Sequence, residues 1–373
     1  MDNAFILGRL FGIQFRLHYT WFIIFILITV SLSWQLFPDN YPDWPSWLYW
    51  ITGVVTSLLF FSSVVAHELA HSLVGRANGI TVKSITLFIF GGVAQMTGEA
   101  AKPGAELKMA VAGPVCSLVT AGLFALIWFL TRGEIVYVAA MFGWLAFVNL
   151  ILAVFNLIPG FPLDGGRVFR SLLWHFTGKY MPSTRIAAWL GRSVGYLFVL
   201  SGIVITFALR DWLSGLWLVF IGWFLENAAS SSYHQAKWRD ALHSFSASQV
   251  MTSDYTLVPA NITINQLVQE YVFASGRDYF LVTDEGKLVG TLALNSIKAV
   301  SRQDWPVTQL KDVMTPVNKL MVAYPDQNAL KVMEQMDEND MDQMPVANDG
   351  KIIGLITQDN LARFLHIRSE LKL

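Results

Sequence analysis

The chain has 373 residues, room for two domains, and is 54% hydrophobic but only 14% charged, where a soluble globular protein carries about 25% charged residues. That shortfall points to a bilayer rather than a large soluble core. The net charge of −1 gives no basic excess for nucleic acid, and the single cysteine, Cys116, excludes an internal disulfide framework.

Apolar runs at about 17–36, 48–75, 107–130, 135–158, 186–208 and 212–227 predict six membrane spans, since about 20 residues cross the hydrocarbon core. The first is too long for a signal-peptide core and has no A-x-A-like cleavage site, so it reads as a retained helix. With the N-terminus inside, the cytoplasmic segments hold Arg9, Arg16, Arg76, Lys83, Lys102, Lys108, Arg167, Arg170, Lys179, Arg185, Lys237 and Arg239. The outer loops hold only Arg132 and Arg210, so both termini are predicted to be cytoplasmic. Between the second and third runs, residues 80–100 (ITVKSITLFIFGGVAQMTGEA) are β-branched and aromatic with a Gly91-Gly92 pair. They predict a β-hairpin or short sheet dipping in from the cytoplasmic side. The composition turns ordinary beyond about residue 246. The expected organisation is a membrane domain at 1–230, a polar linker at 231–245 and a soluble domain at 246–373.

The second run carries His67-Glu68-Leu69-Ala70-His71. Residues i and i+4 of a helix share one face, so both imidazoles can reach one Zn²⁺. Glu68 is displaced around the helix and suits a general base acting on water whose pKa the zinc lowers to about 7. Two structural histidines in a buried helix would leave the cost of Glu68 at membrane depth unexplained. Two histidines also leave a zinc site short of a ligand. Asp39 and Asp43 lie on the outer side, and Glu99 and Glu106 near the inner face. Asp164 follows the fourth run, in Asn156-Leu157-Ile158-Pro159-Gly160-Phe161-Pro162-Leu163-Asp164-Gly165-Gly166, and that run and the second both arrive at the inner side. Two prolines and the glycines permit the chain to turn there, so Asp164 is the expected third ligand, leaving one position open. The Asn156 amide, before the break, is a candidate to hydrogen-bond a bound peptide, the alternative being a helix-packing amide. His18 reads as an interfacial or packing histidine.

HELAH on the second span and NLIPGFPLDGG on the fourth resemble the two signatures of the site-2 protease family of intramembrane zinc proteases, and Ala112-Gly113-Pro114 is a third match. Where that family often has an asparagine shortly afterwards, this chain has Ser117. The resemblance covers about residues 1–228. It implies zinc on His67, His71 and Asp164, Glu68 as base, and a membrane-spanning protein substrate such as a tethered transcription regulator. A transporter or channel with a regulatory tail is the competing reading, because intramembrane acids and histidines also mark ion pathways. Against it stand the zinc-type spacing and the lack of a duplicated membrane half.

The soluble part is an internal repeat. Val250-Met251-Thr252 recurs as Val313-Met314-Thr315, Gly286 as Gly350 and Gly290 as Gly354, at a spacing of about 64 residues. Each unit reads as strand, amphipathic helix, hairpin and closing helix. The pattern resembles a tandem pair of cystathionine-β-synthase (CBS) domains. The resemblance implies an adenine nucleotide between the repeats, and the expected role of the tail is a homodimer through the CBS domains or control of access to the membrane site. The usual ribose contact is an Asp three residues after a Thr, whereas here Thr357 is followed by Asn360, and Ala293 by Ser296. Nucleotide binding is therefore expected to be weak or absent.

Overall fold

The structure is a computed structural model and describes residues 4–371 except 90, 97, 99, 340, 349 and 350. Glu99 and the repeat glycine Gly350 lie outside the described residues. The chain divides into two compact units, Met1–Lys237 and Trp238–Leu373.

The first unit opens with β1 (Ala4–Leu10) and β2 (Ile13–His18). The first apolar run follows as α1 (Thr20–Ser31), a π-helical stretch Leu32–Leu36 and α2 (Phe37–Asn40). Next come α3 (Ser46–Ala77), β3 (Val82–Phe88), β4 (Gly91–Met96), α4 (Pro103–Thr131) and α5 (Val136–Asn156). The short amphipathic α6 (Asp164–Thr177) precedes α7 (Tyr180–Ala208) and α8 (Trp212–His243). Among the described residues, six helical segments, Thr20–Asn40, α3, α4, α5, α7 and α8, are long and apolar enough to cross a membrane. The polarity is arranged for lipid. Phe22, Ile26, Leu123, Phe129, Leu197 and Phe207 are exposed, while Thr29, Ser33, Thr56 and Ser57 are buried. Thr29 donates to Ser57 at 2.9 Å between α1 and α3, a hydroxyl contact of the kind that joins helices in hydrocarbon.

The four strands form one sheet in the order β1-β2-β3-β4, with β2 and β3 parallel and the other pairs antiparallel. β3 and β4 are the hairpin expected at 80–100. The β1–β2 hairpin is additional. Its turn is Phe11-Gly12, both at positive φ (51° and 77°), so it has the mirror-image geometry that suits hairpins without the Asn or Asp that usually announces it. Ile13, Val82 and Ile85 pack on Leu69 of α3, and Leu17 and Leu87 on Val64. The sheet therefore lies along the turn of α3 that carries His67 and Glu68.

α8 continues through His243, so most of the stretch 231–245 is helical. The second unit then runs α9 (Ala247–Val250), β5 (Leu257–Pro259), α10 (Ile264–Gln266), a π-helical stretch Leu267–Val272, α11 (Phe273–Ser275), β6 (Tyr279–Asp284), β7 (Lys287–Ala293) and α12 (Leu294–Lys298). The second repeat is α13 (Leu310–Val313), β8 (Thr315–Pro316), α14 (Ala329–Glu338), β9 (Gln343–Asn348), β10 (Lys351–Thr357) and α15 (Gln358–Leu371).

The two repeats exchange their leading segments. Thr315 of the second pairs with Thr291 of the first, and Thr252 of the first bridges Leu355 of the second. Leu310 accordingly fills the first core beside Ile264, Leu267 and Phe280, while Ala247 and Val250 fill the second beside Val332, Met344 and Ile356. The paired repeat glycines are explained by this crossing. A Cβ at Gly290 would stand 2.7 Å from Met314 Sδ, and one at Gly354 2.4 Å from Met251 Sδ.

Candidate metal centre

α3 places His67 and His71 one turn apart, both buried. The break after α5 returns the chain to them. Leu163 is extended and α6 begins at Asp164, so the carboxylate sits in the first turn of a helix, where the backbone dipole favours negative charge. Asp164 Oδ2 lies 3.1 Å from His67 Nε2 and 3.0 Å from His71 Nε2, and the two Nε2 atoms are 3.2 Å apart.

The outer ring nitrogens are also held. His71 Nδ1 donates to the Met109 carbonyl at 2.7 Å, and His67 Nδ1 lies 2.8 Å from Ser117 Oγ, both partners on α4. A carbonyl can only accept, so Nδ1 of His71 carries hydrogen, and in its neutral form the ring turns the Nε2 lone pair inward. Lone pairs and a carboxylate oxygen facing one another at this range call for a cation. Ligand atoms held tetrahedrally at the usual zinc distances would stand about 3.3–3.4 Å apart, close to what is found. No other grouping of three or more such side chains that could hold a metal is found among the described residues. The donor set therefore fits Zn²⁺.

Gly113 of α4 completes the enclosure. A Cβ there would be 2.1 Å from His71 Nε2 and 2.6 Å from His67 Nε2. On the opposite side, a Cβ at Gly92 of β4 would stand 2.5 Å from Glu68 Cγ. Glu68 thus lies against β4, which is the last strand of the sheet.

The sequence profile of peptidase family M50 matches residues 55–139 and 133–202. A relative in Synechocystis sp. with a zinc metalloprotease name is 34% identical over 98% of this chain and 96% of its own length. The chain belongs to peptidase family M50. A second relative, the Rip3 protein of Mycobacterium tuberculosis, also with a zinc metalloprotease name, is 31% identical over 98% of this chain and 94% of its own. The solved site-2 protease of Methanocaldococcus jannaschii is 30% identical over 62% of this chain and 95% of that one, with a TM-score of 0.44. The CBS-domain profile matches residues 310–367, the second repeat with its exchanged leading segment. Membership bears out the family likeness carried by HELAH and NLIPGFPLDGG, and the M50 protein is an integral membrane protein.

His67, His71 and Asp164 come together, with Glu68 alongside. Asn156 does not join them. It ends α5 half-buried and makes no side-chain hydrogen bond among the described residues. His18 pairs its Nδ1 with Thr20 Oγ1 at 2.8 Å, at the junction of β2 and α1. Sequence reasoning did not foresee Met109, whose backbone carbonyl is what matters, or the contacts of Gly113 and Ser117. The regular spacing of Gly113 and Ser117 on the third span was the available signal.

Proposed function

We propose that this M50 protein is an intramembrane zinc endopeptidase that hydrolyses peptide bonds of membrane-spanning proteins, with both of its termini in the cytoplasm. The observation that carries the reading is the convergence of His67 Nε2, His71 Nε2 and Asp164 Oδ2 beside Glu68. These three residues would hold the ion. A bound Zn²⁺ supplies Lewis acidity, polarising the scissile carbonyl and making water acidic near neutral pH. Glu68 takes a proton from the attacking water and returns it to the amine nitrogen as the C–N bond breaks. Met109 and Ser117 keep the histidine rings in register throughout.

A substrate helix hides its amides in its own hydrogen bonds and must unwind to be cut. β4 is an edge strand lying against Glu68, so an unwound stretch that pairs with it is delivered beside the base. Asn156, with a free amide near the break, is available to hydrogen-bond that stretch. A tethered transcription regulator is a fitting substrate.

The test is cleavage of a single-span substrate by the full-length protein in lipid vesicles. Chelating the zinc is expected to lower cleavage by at least about 100-fold and re-addition to restore it; cleavage that survives chelation refutes the reading. For the orientation, a cysteine at position 40 should react from the outer side alone.

The tail serves dimerisation or control of access to the membrane site rather than tight nucleotide sensing. Burial, a hydrogen bond with Asp342 and the charges of Asp342, Asp278 and Asp359 all raise the Tyr279 phenol, so three carboxylates gather where the two repeats meet. That field opposes a polyphosphate, and Asn360, whose amide N–H donates to Thr357 Oγ1 at 3.1 Å, offers the ribose no carboxylate. Titrating the full-length protein with ATP, ADP and AMP should give dissociation constants no tighter than about 1 mM, the weak end of specific binding. Stoichiometric micromolar binding would overturn the expectation.

A further inference from the structure

α4 turns one buried stripe toward the metal centre. Glu106, Met109, Gly113 and Ser117 follow one another at spacings of three, four and four, which is a single helix face, and all four are buried. Three of them touch the histidines, as described above. The fourth reaches the helix that carries the aspartate. Arg170 of α6 donates from Nε to Glu106 Oε1 at 2.7 Å and from Nη2 to the same oxygen, and from Nη1 to the Tyr180 hydroxyl at 2.6 Å. Its guanidinium also lies over the rings of Phe161, at 5.0 Å, and Tyr180, at 4.8 Å. Phe161 belongs to the break that leads into Asp164, and Arg170 sits on the helix that Asp164 begins.

We infer that the Glu106–Arg170 pair is a positioning device for the ligand Asp164: it fixes α6 and the break before it against the same helix face that fixes both histidines. The inference rests on the zinc reading above. Fold stability alone does not call for such a pair, because a buried ion pair is commonly no more stabilising than well-packed apolar residues of the same volume. A fork of two N–H donors on one carboxylate oxygen does supply orientation, which packing of apolar side chains supplies less sharply. Asp164 needs that orientation, since its Oδ2 has to meet two Nε2 atoms within about 3 Å at once.

Four variants of the full-length protein in detergent micelles separate the possibilities: Glu106→Gln, Arg170→Lys, the apolar pair Glu106→Leu with Arg170→Met, and His71→Ala as control. Zn²⁺ affinity is measured by competition with a chelating dye, and the thermal midpoint is measured without metal. Glu106→Gln and Arg170→Lys are expected to bind zinc about 10–100-fold more weakly than the parent, the usual loss when a supporting contact of a metal ligand is removed. The apolar pair is expected to regain the parent's thermal midpoint and still bind zinc about 10–100-fold more weakly. Recovery of both properties by the apolar pair shows that Glu106 and Arg170 serve packing only and overturns the inference, as does parental zinc affinity in Glu106→Gln. Should Glu106→Gln fail to fold, the apolar pair and Arg170→Lys still decide. If His71→Ala binds zinc like the parent, the metal reading itself is wrong, an outcome distinct from failure of the pair.

Discussion

Glu68→Gln is expected to keep one zinc per chain and to lose about 10²–10⁴-fold in cleavage rate, the range assigned to a positioned acid–base group. The two parts of the expectation have separate causes. Zinc is retained because the proposed donors are the Nε2 atoms of His67 and His71 and the Oδ2 of Asp164, and none of these is altered. Their outer contacts to Met109 and Ser117 are also untouched. Cleavage is lost because an amide of the same shape accepts no proton at neutral pH. Shape matters here, since Gly92 leaves just enough room for the Glu68 methylenes and glutamine fits the same slot. The check is metal content and rate on the same preparation. Loss of zinc along with activity would make Glu68 a ligand rather than a base, and an unchanged rate would remove it from the chemistry.

Gly113→Ala should cost at least about 100-fold in zinc affinity, the penalty expected when ligands are displaced by an ångström or more. Two effects oppose each other. Alanine is the better helix former by about 1 kcal/mol, so α4 itself gains from the change. Against this, the new methyl would stand 2.1 Å from His71 Nε2 and 2.6 Å from His67 Nε2. The obstructed atoms are the tips of side chains, so the rings can swing aside and the protein still folds. Swinging them moves the very atoms proposed to bind the metal. The expected signature is therefore a thermal midpoint equal to or above the parent's in the absence of zinc, together with severely weakened zinc binding and cleavage. Parental zinc affinity would mean that the helix accommodates the methyl without moving the rings.

The six membrane helices and the repeat in the tail were legible from the sequence because each rests on a pattern of one residue class: unbroken apolar stretches, or glycines at a fixed interval. The candidate site was legible because histidine and aspartate are rare in such a setting. α6 was not, since its fourteen amphipathic residues open on the pair Gly165-Gly166 and are too few to cross a membrane. β1 and β2 escaped notice because a Phe-Gly turn carries no side-chain signal. The contacts of α4 were hidden for another reason. A glycine, a methionine carbonyl and a serine say nothing about a metal until the fold sets them against two imidazoles. The competing assignment as a transporter or channel loses its ground to M50 membership, with the Synechocystis relative aligned over 98% of the chain.

The crossing of leading segments between the two C-terminal repeats also sets a timetable for biosynthesis. Thr252 leaves the ribosome about 100 residues ahead of its partner Leu355, a delay of about 5–20 s at ordinary elongation rates. Through that interval Val250 and Ala247 have emerged while the strands that bury them are still unmade. The first half waits only for Leu310, which completes its core from the head of the second. The second core therefore stays incomplete until β10 is made, and a stop codon before α14 releases a chain in which the apolar face of α9 lacks Val332, Met344 and Ile356 to settle against.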